Sequence, residues 1–366
     1  MTTTTDRQTG PALADQAPLL QRLVAGYVGH RTVAIGLRSG LLRTLADHPE
    51  ATAGELAGEL GLDAFYVSVW CRSAVAAGVL ERSPGEPPGA RDAADGGLAA
   101  ADGAATRYRL APHMETLLLD PSSPAWMAGV FEVTEAPEMF ARFEENLTSG
   151  RRMWWDEAGP GFIAAVADAG VPFYTRLVPG GLAQVPGLAD RLAAGCHVVD
   201  TACGAGAGLV RLARTYPECR ITGVDGDRLS VDRAAERVAT AGVADRVRVV
   251  CSPLEEMTLE DTAELVLNNI SMHECRDIDR VTENVRESLA PGGWFVVSDF
   301  PFPDSEEELR TAAGRIMSGI QFFEAQIDDQ LLPRRAYDAL LTRHGFTGLG
   351  SVRLTPLHAL TYARRA

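Results

Sequence analysis

Apolar residues recur at helical spacing near the start of the chain: Leu19, Leu20, Leu23 and Val24, then Val33, Ile35, Leu37, Leu41 and Leu42. That period predicts helix across Leu19–Ala46. Thr52-Ala53-Gly54-Glu55 has the S/T-x-x-E form of a capping box, opening a short helix that Gly61 ends. A third helix is predicted from Asp63 to about Leu80. Arg82–Thr106 is rich in Gly, Ala, Pro and Asp, and Arg107-Tyr108-Arg109-Leu110 reads as a strand. Helix, turn, helix and a long-tipped hairpin make a winged-helix pattern.

From His197 the pattern changes. Strands are predicted at His197–Ala202, Arg220–Asp225, Val247–Cys251, Ala263–Asn269 and Gly293–Phe300, with helices between most of them. Two more follow at Ser351–Leu354 and Ala359–Ala363. Alternation of this kind predicts an α/β fold, a parallel sheet with helices on both faces. The last two strands are joined only by Thr355-Pro356-Leu357-His358, too short for a parallel crossover, so they run antiparallel. The organisation expected is a disordered tail over 1–15, a winged-helix-like domain over 16–118, a helical connector over 119–194 and the α/β domain over 195–366.

Composition narrows the function. Hydrophobic residues are 46% of the 366, so the chain is globular. The formal net charge of -15 repels phosphate backbones. The helix that would read a DNA groove, Ala64–Leu80, carries one charge, Arg72, whereas groove reading needs several polar and basic side chains. No nucleic-acid partner is expected. Six scattered cysteines without a C-x-x-C pair fit reduced thiols in a cytoplasmic protein. No apolar run reaches transmembrane length, and the Thr-rich first residues lack a signal-peptide core, so no membrane association is expected.

The chemistry concentrates after the first strand of the α/β half. Val198-Val199-Asp200-Thr201-Ala202-Cys203-Gly204-Ala205-Gly206-Ala207-Gly208 reads as strand, glycine turn and helix start, with Asp225 ending the next strand. Glycines let a ligand approach backbone N–H groups at a helix start. An acid about 20 residues beyond the turn meets ribose hydroxyls. This is a site for a nucleoside-containing cofactor.

The segment from Val198 to Asp304 resembles class I S-adenosylmethionine-dependent methyltransferases, whose sheet is Rossmann-like and seven-stranded. V-V-D-T-A-C-G-A-G-A-G is similar to that family's D-x-G-C-G-x-G motif, V-D-G-D at Val224–Asp227 to its second, and L-A-P-G-G at Leu289–Gly293 to a later signature. With the winged-helix-like region, the chain is similar to bacterial small-molecule O-methyltransferases whose N-terminal domain mediates dimerisation. The resemblance implies S-adenosylmethionine as cofactor and S-adenosylhomocysteine as product. It puts Gly204 and Gly206 under the methionine part, Asp200 at that turn or the amino group, and Asp225, beside Gly226, on the ribose. Ser252, Pro253 and Leu254 would flank adenine, and Asn269 would face the methionine end. Ala202 stands where the family has glycine, and Pro253 where many members carry an acid.

Methyl transfer from a sulfonium needs alignment and dryness, and a base when the acceptor is a hydroxyl. Ile270-Ser271-Met272-His273-Glu274-Cys275 follows the fourth strand, beside the cleft. The resemblance makes His273 the base and Glu274 its neighbouring acid. A histidine titrates near neutrality, which suits that task. A second acid that orients the base would fall at Asp328 or Asp329, for which a solvated acid is the preferred reading. No metal is expected, since H-E-x-x-H would need a second histidine where Asp277 stands. A helix opening at Ser305, with Glu308 completing a capping box, would wall the substrate pocket through Met317, Gln321 and Phe322. Trp154, Trp155, Phe173 and Tyr174 are further pocket candidates, with core packing the equal alternative. The function expected is methylation of a small molecule at oxygen, on a secondary metabolite. The alternatives are transfer to carbon, nitrogen or a carboxylate without a base, and a ligand-responsive winged-helix regulator. An apolar first helix left exposed in a monomer points to a homodimer.

Overall fold

The computed structural model of the protein describes residues 13–83, 106–153 and 155–366. The chain divides into two units, residues 1–120 with 126–131, and residues 121–125 with 132–366.

In the first unit the helix predicted across Leu19–Ala46 is two, α1 (Leu13–Arg38) and α2 (Leu41–Asp47). Gly40, at φ +81°, makes the break, a conformation open to glycine. α1 starts inside the stretch expected to be a disordered tail; residues 1–12 lie outside the described residues. β1 (Ala51–Thr52) leads into α3 (Ala53–Leu60). The capping box forms as read: Glu55 N–H donates to Thr52 Oγ1 at 3.1 Å and Thr52 N–H to Glu55 Oε2 at 2.7 Å. Gly61 ends the helix at φ +66°. α4 (Ala64–Ala76) is shorter than predicted, and Leu80 instead opens β2 (Leu80–Arg82). β3 (Arg107–Leu110) pairs antiparallel with both, in the order β1-β3-β2. The predicted hairpin tip falls on 84–105, outside the described residues. α5 (Met114–Leu118) follows. Leu42, Leu45, Leu56, Cys71 and Tyr108 form the core, while Leu20, Val24 and Tyr27 of α1 stand exposed.

α6 (Ala128–Glu135), α7 (Ala141–Asn146), α8 (Pro160–Arg176) and α9 (Leu188–Ala193) lie in the stretch expected to be a helical connector, most of which falls in the same unit as the large sheet. Then come β4 (His197–Thr201), α10 (Ala207–Thr215), β5 (Arg220–Asp225), α11 (Arg228–Thr240), β6 (Val247–Cys251) and β7 (Ala263–Asn269). α12 (Ile278–Ser288), β8 (Leu289–Asp299), α13 (Glu306–Leu309), α14 (Ala312–Glu324), α15 (Arg334–Arg343), β9 (Phe346–Thr355) and β10 (His358–Arg365) complete the unit. The helix expected to open at Ser305 is thus two, α14 having its own cap in Thr311. Ser305 accepts from Glu308 N–H, but Glu308 reaches back to Asp304 N–H, so only half of that box forms.

The seven strands lie in the order β6-β5-β4-β7-β8-β10-β9. β10 runs antiparallel to both neighbours and the other pairings are parallel. Successive residues feed opposite faces: Val198, Leu265, Leu267 and Val296 join one core cluster, Val199, Val266, Phe295 and Val297 the other. Burial on both faces explains why these strands read as continuous apolar runs. Strand order reverses between β4 and β7, and that switch point places a crevice beyond their carboxyl ends.

Candidate active site

The glycine turn begins under strain. Ala202 takes φ +56°, a left-handed conformation that disfavours a Cβ. Gly204 follows at φ +52° with nothing within 4 Å of where a Cβ would stand, so the space above the turn is open. Gly206 is needed for another reason: a Cβ there would lie 2.9 Å from Ala234 of α11. Asp225 closes the turn from β5. Its Oδ2 accepts Gly204 N–H at 2.8 Å and its Oδ1 accepts Asp227 N–H at 2.9 Å. Burial pushes its pKa up against those two bonds. Gly226 packs beside Pro253, and Ser252 N–H donates to the Asp225 carbonyl at 2.9 Å. Asn284 holds the Leu254 carbonyl at 2.9 Å. The structure therefore brings Gly204, Asp225, Gly226, Ser252 and Pro253 together at the carboxyl ends of β4, β5 and β6.

Asp200 is fully buried, and Tyr174 donates its hydroxyl to both carboxylate oxygens, at 3.1 and 2.9 Å. Burial drives Asp200 up to about 8, with the Tyr174 bond opposing and Asp225 adding repulsion. The tyrosine reaches the acid across Gly208, where a Cβ would fall 2.1 Å from the ring. Tyr174, read from sequence as a pocket candidate, is engaged here.

Asn269 ends β7 at the switch point. Arg176 Nε donates to His358 Nδ1 at 3.0 Å, so His358 carries its proton on Nε2 and offers it to Ser298 Oγ at 2.7 Å. Ser298 in turn donates to Asn269 Oδ1 at 2.7 Å. Burial and then Arg176 hold His358 down at about 3, so it stays neutral. This fixes the Asn269 amide. Its Nδ2 is left as a buried donor without a partner among the described residues. An unmatched buried donor is expensive unless a ligand takes it. The next residue, Ile270, sits at φ +54°, an outlier for a β-branched side chain. The chain then turns so that His273 enters the site.

His273 is 4% exposed. Its Nδ1 meets Asp299 Oδ2 at 2.7 Å; its Nε2 faces Glu324 Oε1 at 3.8 Å and Glu274 Oε1 at 4.0 Å. Asp299 Oδ1 accepts Phe300 N–H at 2.7 Å, and Tyr337 donates its hydroxyl to Oδ2. Burial alone would lower the His273 pKa. The charges and bonds of Asp299 and Glu324 outweigh it and hold the ring well above its ordinary range. Burial and then Glu324 push Glu274 well up, and burial and Glu324 raise Asp329 to about 7. The Glu324 Oε2 atom has no partner among the described residues. Asp328 instead pairs with Arg152 on the surface at 2.7 Å.

The aromatic candidates separate. Trp155 packs with Phe162 and Phe323, next to Glu324 in sequence, at ring distances of 6.2 and 5.1 Å. Phe173 packs against His358 with the rings tilted, 4.5 Å between centroids. Met317 is buried, Gln321 accepts Leu331 N–H at 2.7 Å, and Phe322 lies against Phe140 and Phe143. Trp154 lies outside the described residues. Sequence reading missed Asp299, Glu324, Tyr337, Ser298 and His358. Their one local signal is that Ser298 and Asp299 end a strand parallel to β7, at the crevice.

A glycine turn closed by an acid, at the switch point of this strand order, defines a class I methyltransferase fold. Residues 198–293 match the Methyltransferase domain family. Part of the chain is similar to malonyl-[acyl-carrier protein] O-methyltransferase of Nitrosospira multiformis, 31% identical over 129 residues, covering 31% of this chain and 42% of that protein. The chain spans about half the length of the curated relatives it matches first, 42% and 55%. An O-methyltransferase family protein from Burkholderia thailandensis has the same fold (TM-score 0.68, 16% identity, 98% of this chain and 99% of that one). So does human N-acetylserotonin methyltransferase, solved in complex with SAM (TM-score 0.67, 15% identity, 100% of both chains).

Proposed function

We propose that the protein is an S-adenosylmethionine-dependent methyltransferase that methylates a hydroxyl of a small molecule, with His273 taking the proton. The observation that carries this reading is the His273–Asp299 pair, a buried imidazole oriented by a carboxylate at the crevice. Gly204's open space, the Asp225 carboxylate and the unmatched Asn269 donor fit the cofactor's methionine and ribose. When bound, that cofactor supplies a methyl group on a sulfonium, with a thioether as leaving group. Asp299 keeps Nδ1 protonated, so a deprotonated Nε2 is the atom that accepts the hydroxyl proton. Buried walls around His273 exclude water from the transfer. The acceptor would be a secondary metabolite.

The exposed Leu20, Val24 and Tyr27 of α1 support a homodimer joined through the first unit. No described helix is long and apolar enough to cross a membrane, and we assign the protein to the cytoplasm.

A second reading moves the methyl to a carboxylate, nitrogen or carbon. It is favoured by the two carboxylates that face the ring: against burial, Asp299 and Glu324 push the His273 pKa well above its ordinary range, which favours the imidazolium, and an imidazolium cannot accept a proton. The pH profile of methyl transfer from a labelled donor separates the two. As base, His273 works only once it has lost its proton, so the rate climbs with pH above neutrality and collapses in His273→Gln. A flat profile with a fully active His273→Gln supports the second reading instead.

A further inference from the structure

Tyr337 is buried on α15, and its hydroxyl donates to Asp299 Oδ2, the oxygen that also meets His273 Nδ1. Oδ1 is taken by Phe300 N–H. Three donors, from the residue after β8, from α15 and from the turn after β7, thus converge on one carboxylate and hold both of its oxygens. Packing alone would be served by a phenylalanine. A buried phenol needs an acceptor, and the acceptor here is the carboxylate that orients His273. Beyond the ring lies a cavity of about 350 Å³, lined also by Arg334, Ser351 and Arg353.

The geometry points to Tyr337 as a positioning residue: its hydroxyl fixes Asp299 so that His273 stands with Nδ1 on the carboxylate and Nε2 turned toward Glu274 and Glu324. The inference rests on the reading of His273 as the working imidazole. Tyr337 also divides the acceptor strength of Oδ2 between two donors. Without the phenol, Oδ2 is left to His273 alone, while Phe300 N–H still holds Oδ1, and the imidazolium is held more tightly. The groups facing the ring are Asp299 from β8, Glu324 from α14, Asp329 from the loop after it, and Glu274 beside it. Tyr337→Phe changes none of them.

Proton NMR of the whole protein tests this without an acceptor. The Nδ1 proton of His273, buried on a carboxylate, gives a resonance far downfield, assigned by its loss in His273→Gln. In Tyr337→Phe that resonance moves further downfield, and the pH at which the ring loses its proton rises by about one unit, near the worth of one charge-assisted hydrogen bond. Asp299→Asn, which removes the anion, abolishes the resonance. An unchanged resonance and midpoint in Tyr337→Phe overturn the inference, since a space-filling ring would give that result. A midpoint that falls overturns it too, being the mark of loosened packing. The signal reports geometry, not turnover, so a His273→Gln protein that still transfers methyl removes the base reading and leaves this test standing.

Discussion

Tyr174 and Asp200 form a closed pair beneath the glycine turn, the phenol donating to both carboxylate oxygens in a site without solvent. The pair sets a pH dependence. An acid whose folded pKa is raised to about 8 binds its proton more tightly folded than unfolded. Its contribution to stability is therefore greatest below the ordinary carboxylate range, about 4, and is lost as pH climbs through about 8. Asp200→Asn keeps an acceptor for Tyr174 and removes the titration. Melting temperature of the variant relative to the native protein is expected to rise steadily from pH 5 to pH 8. A constant difference across that range would contradict an Asp200 that titrates high.

Ala202 stands in a left-handed conformation, which glycine adopts without strain. Its Cβ costs about 1–2 kcal/mol there, and a glycine's extra chain entropy returns about 0.5–1 kcal/mol of that. Ala202→Gly is expected to stabilise the protein by roughly 0.5–1 kcal/mol in urea titration, the difference of those two effects. A loss of stability would show that the methyl packs favourably enough to offset the strain.

The Arg176–His358–Ser298 chain presents Asn269 Nδ2 as a donor. If that donor meets the carboxylate end of the cofactor's methionine, Asn269→Asp replaces attraction by repulsion. Calorimetry should find S-adenosylhomocysteine bound at least about tenfold more weakly, one charge-assisted hydrogen bond or more. 5′-Methylthioadenosine, which lacks the amino-acid group, should bind unchanged. Equal losses for both ligands would place Asn269 elsewhere.

What the sequence made legible was local. The capping box at Thr52 and the starts of β4, β5, β6 and β7 depend on residues close together and stand as read, whereas β8 and β9 begin at Leu289 and Phe346, ahead of the predicted Gly293 and Ser351. Gly40 was a break hidden inside an apolar period, because hydrophobic spacing continues across a turn that only φ reveals. Tyr174 looked like a pocket aromatic because nothing in its neighbourhood marks Asp200, 26 positions away, as its partner. The surroundings of His273 were illegible for the same reason. Asp299, Glu324 and Tyr337 come from three elements that only the sheet order brings to one imidazole. Asp328 is a surface acid paired with Arg152, as the preferred reading of a solvated acid has it, while Asp329 stands near Glu324 and His273.

The central claim is that the crevice over Gly204 and Asp225 holds the methyl donor. Isothermal titration calorimetry of the purified protein with S-adenosylhomocysteine tests it most directly. Saturable one-site binding is expected, weakened in Asp225→Ala by about 1.5–3 kcal/mol, the range for hydrogen bonds to a charged group. No heat of binding with either S-adenosylhomocysteine or S-adenosylmethionine, in a protein that melts cooperatively, would contradict it.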